Sequence, residues 1–313
     1  TMVNISFCYG KSYVGCKESE RGALLKLKRN LKDLSNCLAS WNIGDGDCCK
    51  WVGNFCNNLT GHILELNLEN PFGYLKYSDA EDDDHYMRSK LVVGNLSNLQ
   101  YLDLSWIDCR LHVDSLSWLS SLLLLEHIDL GQVHLGKASD CWIYSLRHLF
   151  FIVLSYNQFQ GKIPSTLGNL TSLKQIDLSH NQFNFTSPGW LSKLNELSSF
   201  LLNLVSCMVR FHQLIPTSFI RLCKLTSIDF SSVKLSQDIS QVLDIFSAYG
   251  TYALVSLILS HCQISAALGK LSSLRNLDFS LNMLNGSIPL SLGQISHLEY
   301  LDLSNNKFVT KKK

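Results

Sequence analysis

Histidine, aspartate and serine are the side chains in this sequence that could move protons or attack a bond, and the sequence keeps them apart. His127, His180 and His261 stand one or more periods of a repeating unit from each other, too scattered to converge on a metal ion. No Gly-x-Ser-x-Gly elbow, His-Glu-x-x-His pair, phosphate-binding glycine loop or kinase signature occurs. Hydrolysis, metal-assisted chemistry and phosphoryl transfer therefore have no residues to carry them, and no cofactor is implied. The acidic run Glu81-Asp82-Asp83-Asp84 lacks the glycine turn of a calcium loop and reads as a solvated excursion. What remains is contact chemistry. Tyr101, Trp106, His127, Phe150, Phe151, Tyr156, Lys174 and His180 are the candidate binding residues. Rigid aromatic rings offer large contact area at small entropic cost, and Trp106, Phe150, Phe151 and Tyr156 form the leading patch.

These residues are held by a repeat. Leu149-x-x-Ile152-x-Leu154-x-x-Asn157-x-Phe159 is followed by matching runs from Leu173, Leu274 and Leu298, with starts spaced by about 24 residues. Weaker copies begin at Ile63, Leu99, Leu125, Leu225 and Leu254, and a degenerate one lies near Leu197. This is the leucine-rich repeat pattern, in about ten units. The alternating leucines predict a short strand that buries both and shows the intervening side chains to water. The Asn that follows is expected to hydrogen-bond the backbone of the neighbouring coil. Stacking predicts an α/β solenoid, a horseshoe or superhelix with a parallel sheet on its concave face. The Asp after the first strand leucine (Asp103, Asp129, Asp177, Asp229, Asp278, Asp302) reads as scaffold.

Composition agrees with that architecture. The 313 residues are 46% hydrophobic and 17% charged, with a formal charge of +1. Such a balance supplies ample apolar surface and gives no footing for nucleic-acid binding. The domain reading is a signal-peptide remnant at 1–10, an N-terminal cap at 11–60 and repeats over 61–308. An acidic insertion at 70–90 interrupts the repeats, and a basic tail at 309–313 follows a truncated end. No apolar run reaches the length that spans a bilayer, about 20 residues.

The cap segment has its own signature. Cys16-Lys-Glu-Ser-Glu-Arg opens a predicted amphipathic helix with Ala23, Leu24, Leu27 and Leu31 on one face, and Glu18 and Glu20 sit in its first turn, where the dipole favours negative charge. Trp41, then Asp47-Cys48-Cys49-Lys50-Trp51 and Cys56, follow. This run resembles the N-terminal cap of plant extracellular leucine-rich repeat proteins, above all receptor-like proteins of the fungal-elicitor (xylanase) receptor and disease-resistance type. Gly161-Lys162-Ile163-Pro164 and Gly286-Ser287-Ile288-Pro289, followed by Leu167-Gly168 and Leu292-Gly293, match the family's Gly-x-Ile-Pro step. The likeness covers residues 16 to 308. It departs at Gly53-Asn54-Phe55-Cys56, where relatives read Gly-Val-x-Cys.

The resemblance implies a disulfide-bonded helical cap, with Cys16 bonded to Cys48 and Cys49 to Cys56. Eleven cysteines are odd in number, so at least one has no intramolecular partner. Cys37, Cys109, Cys141 and Cys223 have no assigned place, and Cys207 and Cys262 read as small buried fillers. Sequons at Asn58, Asn95, Asn169, Asn184 and Asn285 are candidate glycosylation sites, most of them expected off the strands.

The expected function is a non-catalytic recognition module outside the plant cell, in pathogen or elicitor perception and defence signalling. The resemblance implies a peptide or microbial protein ligand and a co-receptor kinase. It also implies the apoplastic face of the plasma membrane, reached through a signal peptide and held by a C-terminal segment beyond this chain. A secreted polygalacturonase-inhibitor-like protein and the ectodomain of a receptor kinase are the alternatives.

Overall fold

The computed structural model describes residues 14–30, 38–42, 44, 46–69, 88–89, 96–105, 112–113, 116–133, 135, 143, 145–184, 189–202, 222, 224–231, 254–259, 273–281, 285–286, 288, 292–293 and 295–308. Helix α1 (Glu18–Asn30) opens the described chain, and β1 (Asn54–Cys56) and β2 (Ile63–Asn67) follow. Next come β3 (Arg88–Ser89), β4 (Tyr101–Asp103), β5 (His112–Val113), β6 (His127–Asp129), β7 (Phe151–Val153), β8 (Gln160–Lys162) and β9 (Gln175–Asp177). Then follow β10 (Gln182–Asn184), β11 (Ser199–Leu201), β12 (Ser227–Asp229) and β13 (Ser256–Ile258). The last are β14 (Asn276–Asp278), β15 (Asn285–Gly286), β16 (Tyr300–Asp302) and β17 (Lys307–Phe308).

Eleven of these strands form one sheet in the order β1-β2-β4-β6-β7-β9-β11-β12-β13-β14-β16. Only β1, from the cap, runs antiparallel. The other ten correspond to the ten repeat units, including the degenerate one near Leu197, whose strand is β11. Register is exact across the sheet, so Leu66, Leu102, Ile128, Ile152, Ile176, Phe200, Ile228, Leu257, Leu277 and Leu301 fall in one row. Every member of that row is fully buried except Leu301, which is 42% exposed on the last strand. The chain returns through short 3-10 turns, among them Ser117–Ser121, Ser165–Asn169 and Gly189–Lys193. The last two pack so closely that a Cβ on Gly168 would stand 2.8 Å from that of Trp190. Small parallel pairs, β8 with β10 and β15 with β17, continue the chain beyond the turn.

Buried asparagines join the coils. The Asn181 amide donates to Leu154 O (2.8 Å) in the preceding coil and to Leu178 O and Ser179 O in its own. Its carbonyl accepts from Phe159 N–H at 3.2 Å. Asn157 repeats the scheme with Leu130 O (2.8 Å) and Leu135 N–H (2.9 Å), and Asn306 reaches Phe279 O (2.8 Å). Val133 occupies the same place one coil earlier and is buried without such bonds. Deeper in, the Phe159 and Phe183 rings stack at 5.5 Å.

One residue before the asparagine position the backbone turns left-handed at Gln132 (φ 57°), Tyr156 (55°), His180 (53°) and Asn305 (56°), and Leu281 (55°) is left-handed too. The conformation lets three of these N–H groups carry the inter-coil ladder one step past the strand, Gln132 to Ser155 O (2.9 Å), Tyr156 to Ser179 O (3.1 Å) and Leu281 to Ser304 O (3.0 Å). Of these five, Asn305 and His180 are of types enriched in this conformation, whereas Gln132, Tyr156 and Leu281 are not.

The cap closes the first coil. Ala23, Leu24 and Leu27 are buried together with Leu38, Trp41 and Trp51, whose indoles stack at 5.6 Å; Leu31 lies outside the described residues. Lys28 Nζ donates to Leu38 O and Trp41 O. Cys16 is bonded to Cys48 and Cys49 to Cys56, with Cα–Cα distances of 5.3 and 5.5 Å. Glu20 does more than answer the helix dipole. It is 2% exposed, accepts from Ile63 N–H at 2.8 Å and pairs with His62 Nδ1 at 2.8 Å, locking α1 onto β2. Gly53 must be glycine: its φ is +85°, and a Cβ would meet Asn67 O at 2.3 Å. Asn54 donates to Cys48 O at 2.8 Å, while its own carbonyl oxygen is buried without a partner. Cys37, Cys109, Cys141, Cys207, Cys223 and Cys262 lie outside the described residues, as does the acidic run at 81–84.

Two substitutions test this account by chemical denaturation followed by circular dichroism. Asn181→Ala removes a side chain that satisfies buried groups of two coils and should cost about 3 kcal/mol. Leu281→Asn relieves a left-handed leucine that is 46% exposed and should gain about 0.5–1 kcal/mol.

Candidate functional site: the sheet face

The L-x-x-L-x-L spacing leaves two neighbouring residues per coil ahead of each buried strand residue, and these make two rows across the sheet. One row reads Leu64, Gln100, Glu126, Phe150, Lys174. The other reads Glu65, Tyr101, His127, Phe151, Gln175, in register on β2, β4, β6, β7 and β9. Over the first four coils these rows line an open groove of about 360 Å³, with Phe55 of the cap strand at one end. Tyr101 and His127 stack at 4.2 Å with planes 9° apart, and Phe151 follows at 5.5 Å, tilted by 43°. Lys174 Nζ sits over the Phe150 ring, 4.8 Å from its centroid. Stacking spaces the rings at the separation of the strands that carry them, roughly 4.8 Å.

Tyr156 and His180 make a separate stack, 3.9 Å apart with planes 11° apart, at the left-handed turn positions of adjacent coils. The aromatic patch expected as one cluster is thus split: Phe150 and Phe151 belong to the groove, and Tyr156 pairs with His180. Trp106 lies outside the described residues. Five positions separate Phe151 from Tyr156 in the chain, which carries one to the strand and the other to the turn. Phe55 joins the groove from the cap, a contribution invisible to the repeat pattern.

A row of carboxylates runs beside the stacks. Asp103, Asp129, Asp177, Asp229, Asp278 and Asp302 each accept, through Oδ1, the backbone N–H two residues on, at 2.7–2.8 Å. The bond caps the strand end, which explains why this Asp recurs with the scaffold. Crowding has a price in proton affinity. Burial raises the Asp129 carboxyl to about 7 against the pull of its bond from Gly131 N–H, with Asp103, Asp177 and Glu69 adding to the rise. Tyr101 is pushed to about 12 by burial and by the charges of Asp103, Glu65 and Asp129. Burial pulls His127 and His180 below the usual imidazole value, opposed by Asp103 at His127 and by Asp177 and Asp229 at His180. Both histidines therefore favour the neutral ring. Among the described residues no group of His, Cys, Asp or Glu is arranged to hold a metal ion.

Of the sequons, Asn58 and Asn169 are exposed, the latter at the end of a 3-10 turn. Asn184 and Asn285 stand on β10 and β15, in the small sheets rather than off the strands. Asn95 lies outside the described residues.

Parts of the chain match leucine-rich repeat families. Residues 17–57 match the leucine rich repeat N-terminal domain, and residues 145–170, 172–194 and 297–312 match the Leucine Rich Repeat. Receptor-like protein EIX1 of Solanum lycopersicum is 28% identical over 96% of this chain and 27% of its own length. Receptor-like protein EIX2 of the same organism is 27% identical over 93% of the chain and 29% of its own length. The chain thus spans less than a third of these relatives. Among solved structures, the ectodomain of the Arabidopsis receptor kinase HAESA, in complex with an N-terminally extended IDA peptide hormone, superposes with a TM-score of 0.63 at 25% identity. That match covers 92% of this chain and 49% of the ectodomain.

The raised Asp129 carboxyl has a definite consequence for stability. Between the unfolded carboxyl value, about 4, and the folded value near 7, the native state binds the extra proton, so stability falls as pH rises through that window. Asp129→Asn keeps an acceptor for Gly131 N–H and removes the charge. It should flatten that fall and be at least about 1 kcal/mol more stable than the parent at pH 8, read from denaturation midpoints at pH 4, 6 and 8.

Proposed function

We propose that this chain is a non-catalytic recognition module of a plant receptor-like protein, displayed outside the cell, which holds a peptide or microbial protein on its sheet face. The observation that carries the reading is the Tyr101–His127–Phe151 stack in an open groove, with Phe151 36% exposed and Phe55 57% exposed. Aromatic side chains left uncovered on a rigid parallel sheet are what a contact surface requires, and they are costly to leave in water otherwise. Among the described residues the sheet face offers an open groove rather than a water-excluding cleft.

Sequence similarity to receptor-like proteins over nearly the whole chain supports a role in perception, and the reading extends it to defence against microbes. Signalling would pass through a partner kinase, with bound ligand and sheet rim together offering the surface that the partner reads. Two disulfides in the cap suit an oxidising compartment, and exposed Asn58 and Asn169 stand where glycans would be tolerated. No helix among the described residues is long and apolar enough to cross a membrane.

Surface plasmon resonance on the immobilised chain, with fungal xylanase and fractionated fungal culture fluid as analytes, tests this reading. A saturable ligand is expected whose affinity falls at least tenfold with Tyr101→Ala or Phe151→Ala, while the thermal midpoint stays unchanged. Binding indifferent to both substitutions would move the site off the sheet face. Turnover of any substrate by the purified chain would overturn the non-catalytic reading.

A further inference from the structure

Carboxylates on this sheet face fall into two classes. The aspartates are engaged by backbone N–H groups, as described above. Of the glutamates, Glu196 is paired with Lys224 (2.6 Å) and Glu299 with Arg275, each across to a neighbouring coil. Glu65, Glu69 and Glu126 are the exceptions, and of these Glu65 and Glu126 line the groove. Among the described residues neither of these two has a cationic partner. The groove walls otherwise carry rings, Leu64 and the Gln100 amide, and the nearest lysine of its rows, Lys174, lies at the far end over Phe150.

Placement gives these two charges a spacing. Glu65 stands on β2 and Glu126 immediately precedes β6, with β4 between, so they are two strand intervals apart, about 10 Å. They belong to different rows of the groove lining, offset by one residue along the strand direction. In an extended chain, side chains i and i+3 point to opposite sides and lie about 10 Å apart. The groove spans three strand intervals, about 14 Å, enough for four or five extended residues.

We propose that the groove takes an extended peptide segment carrying two basic residues three positions apart, one on Glu65 and one on Glu126, with an apolar residue between them against Tyr101 and another beyond Glu126 against Phe150 and Phe151. The proposal rests on the recognition reading and adds the chemical class of the ligand. The field around the groove agrees with it: Tyr101 is held high partly by the negative charge of Asp103, Glu65 and Asp129. A guanidinium or ammonium would find unopposed carboxylates there and aromatic surface beside them. Because the groove is open and the carboxylates are within reach of solvent, the cations would retain part of their hydration, and charge would act chiefly on specificity.

A positional-scanning hexapeptide library, fluorescently labelled and read by anisotropy against the 313-residue chain, decides the matter. Lys or Arg should be selected at two positions three apart. Glu65→Gln and Glu126→Gln should each abolish selection at one of the two and weaken the best peptide at least tenfold, with circular dichroism unchanged. Charge reversal in Glu65→Lys/Glu126→Lys should turn the preference to Asp and Glu. Peptides bound in a Phe151-dependent way with no basic preference, or with a preference that survives the double Gln variant, would leave the recognition reading standing and remove this assignment. Glutamate-dependent binding of chitosan oligomers, with no peptide bound, would replace the peptide by a cationic sugar and overturn the proposal. If neither library nor oligomer binds, both the assignment and the peptide-binding part of the recognition reading fall.

Discussion

A three-residue strand has too little surface to hold itself in place, and each coil here can bury its leucines only against the coils on either side. The in-register backbone ladder from β2 to β16 is the constraint from which the rest follows. It aligns one core residue per coil in a single fully buried row from Leu66 to Leu277. In doing so it aligns everything else: the residue before that one, the residue after it, and the turn beyond. Side chains remote in sequence become stacking partners because they hold the same place in successive coils, as Tyr101, His127 and Phe151 do. Leu301, with no described coil beyond it, is exposed to 42%, which shows what the row is worth where the stacking stops.

The same alignment brings liabilities, and the turn shows how they are met. Left-handed backbone at Gln132, Tyr156, His180 and Leu281 costs each residue about 1–2 kcal/mol. Such an outlier confined to one coil would hint at function. Recurrence in five coils, with Gln, Tyr, His, Leu and Asn, points instead to the scaffold, and at Gln132, Tyr156 and Leu281 the residue's N–H carries the next inter-coil bond. Tyr156 and His180 are therefore large rings placed on a fixed, outward-turned position, and their stacking is a consequence of geometry that recognition could exploit. The buried asparagine that follows closes the remaining carbonyls of two coils at once.

Much of this was legible in the sequence because the repeat is a local code. Leucine spacing predicted ten strands, down to the degenerate unit at Leu197, and the turn asparagine's bond to the neighbouring coil follows from its amide and its position. What escaped depends on contacts between distant segments. Glu20 sits 43 residues from Ile63, and a first-turn glutamate looks the same in sequence whether it answers a helix dipole or anchors a strand. The antiparallel strand β1 carries no leucine period, so Phe55 gave no sign of joining the groove. The aromatic residues were legible as exposed and illegible as two stacks, since a patch read along the chain groups Phe151 with Tyr156, whereas the solenoid groups each with its counterpart one coil away.

Charge on the sheet face follows from the same repetition, and it separates scaffold from surface. Repeating an Asp in successive coils sets like charges one strand apart, and the raised Asp129 carboxyl records the strain of that arrangement along with its burial. Apolar residues interrupt the row at Val153, Leu201 and Ile258, so the carboxylates stand in runs of at most two, Asp103 with Asp129 and Asp278 with Asp302. Every one of these aspartates already holds a backbone N–H, and a ligand would have to compete with the strand cap to use it. Glu65 and Glu126 carry no such duty. They place negative charge on the groove lining, Glu65 close enough to raise Tyr101, and no described cation pairs with them. A scaffold selected for its own stability alone would have neutral residues there or a lysine one coil away, as Glu196 has Lys224. That the pair stands unopposed at the aromatic end of the sheet ties the electrostatics of the repeat to the surface on which a ligand would rest.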